Sequence, residues 1–252
     1  MTFERLLTEL LPPKLAWRAT RSMRERRELA RFRDFYHQFT SPGALCFDVG
    51  ANLGARTRAF LSLGCQVVAV EPQSSCIRAL ERQFGGDSRV TIVKAALGRA
   101  VGTATLHVSP DHVLSSLSEG FVETTTRSGR FAASRWEKNE TVELRTLDSL
   151  IGEHGLPDFI KIDVEGFESE VLAGLTTPVP ALCFEWTPEL PENALSCIER
   201  LSDLGQYEYN LSWGESLKFS RPAWRDAESM KVVIHEFAGE SLMFGDIYAR
   251  LG

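Results

Sequence analysis

Residues Ala44 to Gly54 read A-L-C-F-D-V-G-A-N-L-G, and the chain is organised around them. The apolar run Ala44 to Phe47 ends in an acid and two glycines four apart, and helix formers follow from Ala55 to Leu63. That pattern is strand, tight turn, helix. Gly50 and Gly54 lack a Cβ, so the backbone can take unusual dihedrals and a ligand can approach closely. The start of the following helix offers unpaired N–H groups and a positive dipole end. Asp48 stands where the dinucleotide fingerprint G-x-G-x-x-G has its first glycine; an acid there repels a pyrophosphate and suits a cationic group or hydroxyls. A plainer account also fits these residues: any tight strand-to-helix crossover wants glycine, and Asp48 caps the helix.

A second acid follows in a matching position. Gln66 to Val70 (Q-V-V-A-V) reads as a buried parallel strand; it ends in Glu71-Pro72 before a helical stretch, Ser74 to Phe84. An acid at the second strand tip of a β-α-β unit is where a ribose diol is held. Two acids and two glycines so placed point to an adenosine-type cofactor without a pyrophosphate, and S-adenosylmethionine meets that description.

Further blocks extend the pattern. D-V-G-A-N-L-G with Thr57, V-V-A-V-E-P, the third-strand segment V-T-I-V-K-A-A-L-G (Val90 to Gly98), T-L-D-S-L (Thr146 to Leu150) and F-I-K-I-D-V-E-G-F-E (Phe159 to Glu168) stand in the order and spacing of the FkbM-type methyltransferases. The chain resembles that family from about Leu45 to about Glu185. The resemblance implies an α/β fold with a Rossmann-like, seven-stranded, mostly parallel sheet, S-adenosylmethionine as cofactor, and O-methylation of hydroxyls on glycans or secondary metabolites. It also implies that Asp48, Gly50, Asn52 and Gly54 line the methionine part, Glu71 the ribose, and Ala96 with Leu97 the adenine edge. Ala51, Thr57, Pro72 and Asp163 complete the expected cofactor set.

Length and charge set the outer limits. One α/β catalytic domain, residues 41–252, preceded by a helical extension, residues 1–40, accounts for 252 residues. A net charge of −6 and a pI near 5.5 argue against general binding of nucleic acid or anionic membranes. With no membrane-length apolar run and no secretory signal pattern at the N-terminus, the expectation is a soluble, cytoplasmic protein. Five scattered cysteines with no C-x-x-C pair read as buried small side chains rather than a zinc site or disulfide framework.

Within the extension, Phe3, Leu6, Leu7, Leu10 and Leu11 are spaced for one helix face until Pro12-Pro13, and Trp17 to Phe39 carries arginines at 18, 21, 24, 26, 27, 31 and 33. Interspersed glutamates favour a solvated face on a packed helix. Docking to an acidic partner and peripheral contact with anionic lipid are the other readings.

Thr103 to Val108 and Thr141 to Arg145 alternate like half-exposed antiparallel strands, with a polar, loop-rich insertion, Ser109 to Asn139, between them. FkbM-type chains carry a serine pair and a leucine here, matched by Ser115, Ser116 and Leu117. The insertion is therefore expected to form a lid or acceptor-binding loop containing Ser115, Ser116 and His112; a plain surface loop with turn-capping serines is the alternative.

The chemistry should converge on Phe159 to Glu168. In F-I-K-I-D-V the odd positions put Lys161, Asp163 and Glu165 on one side of a strand expected to be covered on both faces, so Lys161 needs an acid partner. Asp163 and Glu165 are the candidates to receive an acceptor's proton, and Glu185, at the tip of the Ala181 to Phe184 strand, should stand beside Asp163. Two acids on adjacent tips make a weak metal signal, and no metal is expected. An NAD-dependent oxidoreductase is disfavoured by the missing first glycine, and the family resemblance implies that amino groups are not the target, since D-V-E-G stands where an N-P-P-Y-type tetrapeptide would. A non-catalytic module that keeps the cofactor fold and a methyltransferase acting on another acceptor class are the remaining alternatives.

Overall fold

The computed structural model describes residues 13–111, 114–128, 136, 138–239 and 244–252, the side chains of 13–22, 125 and 128 excepted. His112, Arg130, Arg135 and the first expected helix, Phe3 to Leu11, lie outside the described residues. Among the described residues the strands are β1 (Leu45–Val49), β2 (Gln66–Val70), β3 (Val90–Val93), β4 (Ala96–Leu97), β5 (Gly102–Val108), β6 (Lys138–Arg145), β7 (Phe159–Ile162), β8 (Ala181–Trp186), β9 (Tyr207–Trp213) and β10 (Gly245–Leu251). Seven of them form one sheet in the order β3-β2-β1-β7-β8-β10-β9, and β4, β6 and β5 form a small second sheet.

The large sheet is the expected Rossmann-like one, parallel from β3 to β8 and closed by β10, which runs antiparallel to both β8 and β9. The order reverses at β1, so the tips of β1 and β7 lie side by side, with Asp48 in register with Lys161 and Val49 with Ile162. Open α/β sheets bind their ligands at such a switch point.

Continuous apolar runs make these strands central because side chains alternate between two covered faces. Ile160 and Ile162 pack with Phe47, Phe184 and Ile198 in one layer; Phe159 packs with Cys46, Phe60 and Tyr248 in the other. Each large side chain so buried contributes about 1.5–3 kcal/mol. The helix Pro13–Tyr36 covers the second layer: Phe32, Phe35 and Tyr36 are buried, with ring centroids 5.2 Å apart for Phe35 and Tyr248 and 5.0 Å for Tyr36 and Phe60. Its last turns therefore belong to the body of the sheet. Arg24, Arg26, Arg27 and Arg33 face solvent, and Arg31 Nη2 donates to the Glu215 carbonyl at 2.6 Å.

Three segments differ from the sequence reading. Val90 to Gly98 is not one strand: β3 stops at Val93, and Ala96-Leu97 crosses to pair with Leu144-Arg145 of the small sheet. The insertion holds the helix Glu119–Ser128, where Ser118 Oγ accepts from Phe121 N at 3.1 Å. Residues 216–239, whose sequence shows no regular pattern, hold the helix Ala227–Glu236, capped by Asp226 Oδ1 accepting from Ser229 N at 2.8 Å. The antiparallel pairing of β5 with β6 is as expected, and Leu106 and Val142 bury one face of it against Ala96. All five cysteines are buried and free. Among the described residues no helix is long and apolar enough to cross a membrane.

Candidate active site

The carboxyl ends of β1, β2, β7 and β8 and the amino end of the antiparallel β10 open into one cavity of about 590 Å³. At the β1–β2 end the acids are already satisfied. Asp48, 2% exposed, accepts from Thr57 Oγ1 at 2.5 Å. Glu71 Oε2 accepts from Asn52 N at 2.8 Å, and its Oε1 from Gln73 N at 2.7 Å. Asn52 sits at φ 50 in the turn, a left-handed conformation that asparagine tolerates, and this aims its N–H at Glu71. Burial raises the Asp48 carboxyl above its ordinary range against the Thr57 bond, and pushes Glu71 up to about 7 against its two backbone donors.

The turn glycines both serve close packing. A Cβ on Gly50, at φ 79, would collide with the Asp163 carbonyl, so this glycine lets the β1 turn touch the β7 tip. A Cβ on Gly54, at φ 81, would collide with Phe84 and Leu80. Gly54 and Thr57 stand behind the cavity wall. Asp48, Gly50, Ala51 and Asn52 line it from β1; Glu71, Pro72, Ala96 and Leu97 line it on the β2–β4 side.

At the β7–β8 end the acids crowd together. Lys161, 1% exposed, pairs with Asp246 Oδ1 at 2.8 Å and lies 3.4 Å from Asp163 Oδ2. The acid partner that the sequence demanded is thus chiefly Asp246, on a strand 85 residues away. Burial alone would lower the Lys161 ammonium; Asp163 and Asp246 hold it well above its ordinary value. Burial likewise works to raise Asp163, yet Lys161 and then Arg56 keep it low and ionised. Lys161 is behind the wall, whereas Asp163 and Asp246 line the cavity.

After β7 the chain turns through Glu165 at φ 54 and Gly166 at φ 87. A left-handed non-glycine residue costs about 1–2 kcal/mol and persists where its surroundings fix it. Glu168 Oε1 accepts from Val164 N and Gly166 N, each at 3.2 Å, and Ser116 Oγ donates to the Glu165 carbonyl at 2.6 Å. Phe121 fills the space a Cβ on Gly166 would need. Ser116 is therefore buried behind the site, away from any acceptor. Ser115 lines the cavity, its Oγ accepting from Ser109 N at 3.1 Å.

Glu165 and Glu185 both face the cavity, and each brings a carboxylate oxygen within 4.8 Å of the other and of Asp163. Glu185 Oε2 is buried and has no hydrogen-bond partner among the described residues. Burial, and then the neighbouring carboxylates, raise both glutamates well above the usual range. Such a trio can share a proton, accept one from a ligand, or hold a cation.

Arg56, Thr187, Phe121 and Phe244 also line the cavity and were not singled out by sequence reasoning. Arg56 carries a readable signal, a cation in the first turn of the helix that follows the glycine turn. The others depend on long-range folding.

A model of the methyltransferase FkbM domain matches residues 48–204, more than half of the chain. Among solved structures the chain is similar to a precorrin-6Y C5,15-methyltransferase from Geobacter metallireducens, with 13% identity, 90% of this chain and 86% of that one covered, and a TM-score of 0.43. It is similar to a TehB-like SAM-dependent methyltransferase from Corynebacterium glutamicum, at 11% identity, 92% and 97% coverage and a TM-score of 0.43. It is also similar to fibrillarin from Aeropyrum pernix, solved with bound S-adenosyl-L-methionine, at 11% identity, 83% and 67% coverage and a TM-score of 0.40. No curated protein matches the chain.

Proposed function

This chain belongs to the FkbM methyltransferase family and takes S-adenosylmethionine as its cofactor; we propose that it is an O-methyltransferase acting on a hydroxyl of a glycan or secondary metabolite. The observation that carries this reading is the pair Glu165 and Glu185, two carboxylates facing the cavity, with Glu185 Oε2 left without a donor among the described residues. An alcohol O–H is the partner such an oxygen lacks, and a carboxylate with a raised pKa is a better proton acceptor than an ordinary one.

The donor set suits the cofactor. Each oxygen of Glu71 already accepts one backbone N–H and retains lone-pair capacity, the arrangement that takes the two hydroxyls of a ribose. Val70, Ala95, Leu97 and Leu106 give the same end of the cavity an apolar wall for an adenine ring. Asp48 and Asp163 offer negative charge to an ammonium. When bound, the cofactor supplies a methyl group already made electrophilic by its sulfonium.

The work left to the protein is alignment and proton removal. Glu165, held in its left-handed turn by Ser116 and Glu168, orients the acceptor hydroxyl and takes its proton. Glu185 raises the affinity of Glu165 for that proton through like-charge repulsion, and Asp163, kept ionised by Lys161, stays free for the cofactor's ammonium. Ser115 and Thr187 supply polar contacts to the acceptor, and Leu114, Leu117, Phe121 and Phe244 exclude water from it.

Calorimetric titration of the chain with S-adenosylmethionine and S-adenosylhomocysteine, beside the Glu71→Ala variant, tests the cofactor end. Micromolar binding that is lost in the variant is the expected result. Transfer of labelled methyl to glycan and polyketide hydroxyl pools tests the acceptor. Tight cofactor binding with turnover only on amines would replace the hydroxyl reading, and binding without turnover on any acceptor pool would favour the non-catalytic module.

A further inference from the structure

The cavity wall is strongly acidic. Seven of its lining residues are Asp or Glu, and among the described residues one, Arg56, carries a positive side chain. Arg56 is the second residue of the helix Ala55–Ser62, and its guanidinium lies over the Phe32 ring, 4.6 Å from the centroid. Its ion pair with Glu215 is 3.6 Å long, beyond hydrogen-bond distance, and the Glu215 side chain is 65% exposed, so solvent screens it. The Arg56 Nε is buried and has no hydrogen-bond partner among the described residues. A guanidinium held on a ring face with a buried donor unpaired is short of an acceptor, and its Nε–Nη edge matches a carboxylate with two parallel bonds.

The position of Arg56 selects that carboxylate. Its acidic neighbours are Asp48, Asp163, Asp246 and Glu215, with the Tyr36 hydroxyl beside it, which places it toward the β1, β7 and β10 tips; Glu71 is not among them. A ligand with its ribose on Glu71 and its chain passing the β1 turn therefore brings its far end toward Arg56. In S-adenosylmethionine that end carries an α-ammonium and an α-carboxylate. The ammonium finds Asp48 and Asp163, whereas the carboxylate meets like charge on the rest of the acidic wall.

We propose that Arg56 receives the α-carboxylate of the cofactor's methionine end, through its Nε and one Nη. The assignment rests on the cofactor reading above. It makes Arg56 a residue that sorts ligands by the presence of that carboxylate, with Phe32 of the N-terminal helix as the platform that holds the guanidinium in place. A carboxylate on an acidic acceptor is the other ligand of the same chemistry.

The test is calorimetry on the full chain with three probes: S-adenosylhomocysteine, its decarboxylated form, which keeps the amine, and methylthioadenosine, which has neither group. Wild type is expected to prefer S-adenosylhomocysteine over the decarboxylated probe by about 10- to 100-fold, the scale of a charge-assisted bidentate contact. In Arg56→Gln that preference should fall to within about twofold while methylthioadenosine affinity is unchanged, which also reports an intact fold. A preference of tenfold or more that survives in Arg56→Gln overturns the proposal; if the variant then loses turnover on acidic acceptors only, the carboxylate belongs to the acceptor. Should Arg56→Gln fail to bind methylthioadenosine, Arg56→Lys decides, since it keeps the charge but not the fork: a preference at least threefold below wild type supports the assignment and an unchanged one overturns it. If wild type binds none of the three probes, the cofactor reading itself fails, an outcome distinct from the loss of the Arg56 assignment alone.

Discussion

The two ends of the cavity treat their acids in opposite ways. At the β1–β2 end, Asp48 and Glu71 are each met by donors from the protein, an O–H from Thr57 and N–H groups from Asn52 and Gln73. At the β7–β8 end, Glu165 and Glu185 converge with Asp163 within 4.8 Å, and Glu185 Oε2 has no donor among the described residues. The first end is finished before a ligand arrives, as suits a group that is only held. The second is left to be completed by whatever brings a proton or a positive charge, as suits the place where a bond changes.

Removing charge at the unfinished end should have the largest effect. Glu165→Gln is expected to lower kcat by about 10²–10⁴-fold, the usual worth of a general base, with S-adenosylhomocysteine affinity unchanged within twofold by calorimetry. Equal losses in both quantities would dissolve the contrast. Wild-type kcat should also rise with pH, because the crowded glutamates hold a proton above the ordinary carboxylate range and act as bases only once it leaves.

Next in size, Glu71→Gln should weaken cofactor binding by about 10- to 100-fold, the worth of hydrogen bonds to a charged group. Burial raises Glu71 to about 7, so the folded site gains its charge only as pH rises through neutrality. Wild-type affinity should fall about fivefold from pH 7 to pH 6, as the ionised fraction drops from one half to one eleventh, and Glu71→Gln should flatten that dependence.

A smaller loss is expected from Ser116→Ala, which leaves the Glu165 carbonyl without its donor. Unfolding stability should drop by about 1–3 kcal/mol in denaturant titration and kcat by roughly tenfold, with KM for the cofactor unchanged. Fully preserved turnover would mean that the turn holds its shape through Glu168 alone. The smallest effect belongs to EDTA, which should leave turnover within about twofold. A loss restored by magnesium would instead place an ion among Asp163, Glu165 and Glu185.

What could be read in the sequence was what is local in it. Asp48 and Glu71 announce themselves because each closes an apolar run and precedes a turn, and the parallel half of the sheet follows from the same runs. Asp163 and Glu165 were legible as acids just past an apolar run, but β7 ends at Ile162 and a left-handed turn, not strand alternation, sets where Glu165 lies. The role of Ser116 was not, since its partner is 49 residues away and the serine pair looks like a ligand contact until the chain folds. Lys161 told of an acid without saying which, and Gly54 looked like part of a ligand cradle until Phe84 and Leu80 were seen to need its space. Arg56 was hidden in plain view, because a cation in a first helical turn means nothing until the wall around it proves acidic.

The place of β10 bears on how the molecule comes to exist in a cell. It is the last of the seven strands to leave a ribosome, yet it sits between β8 and β9, and it brings Asp246 to Lys161. Until it docks, β8 is an open sheet edge, β9 has no neighbour in the sheet, and the lysine at the sheet's centre lacks its main counter-charge. The β1–β2 end, whose donors all lie within residues 48–73, needs nothing from β10, whereas Lys161 at the β7–β8 end waits for it, and a chaperone that shields an open sheet edge would act in that interval.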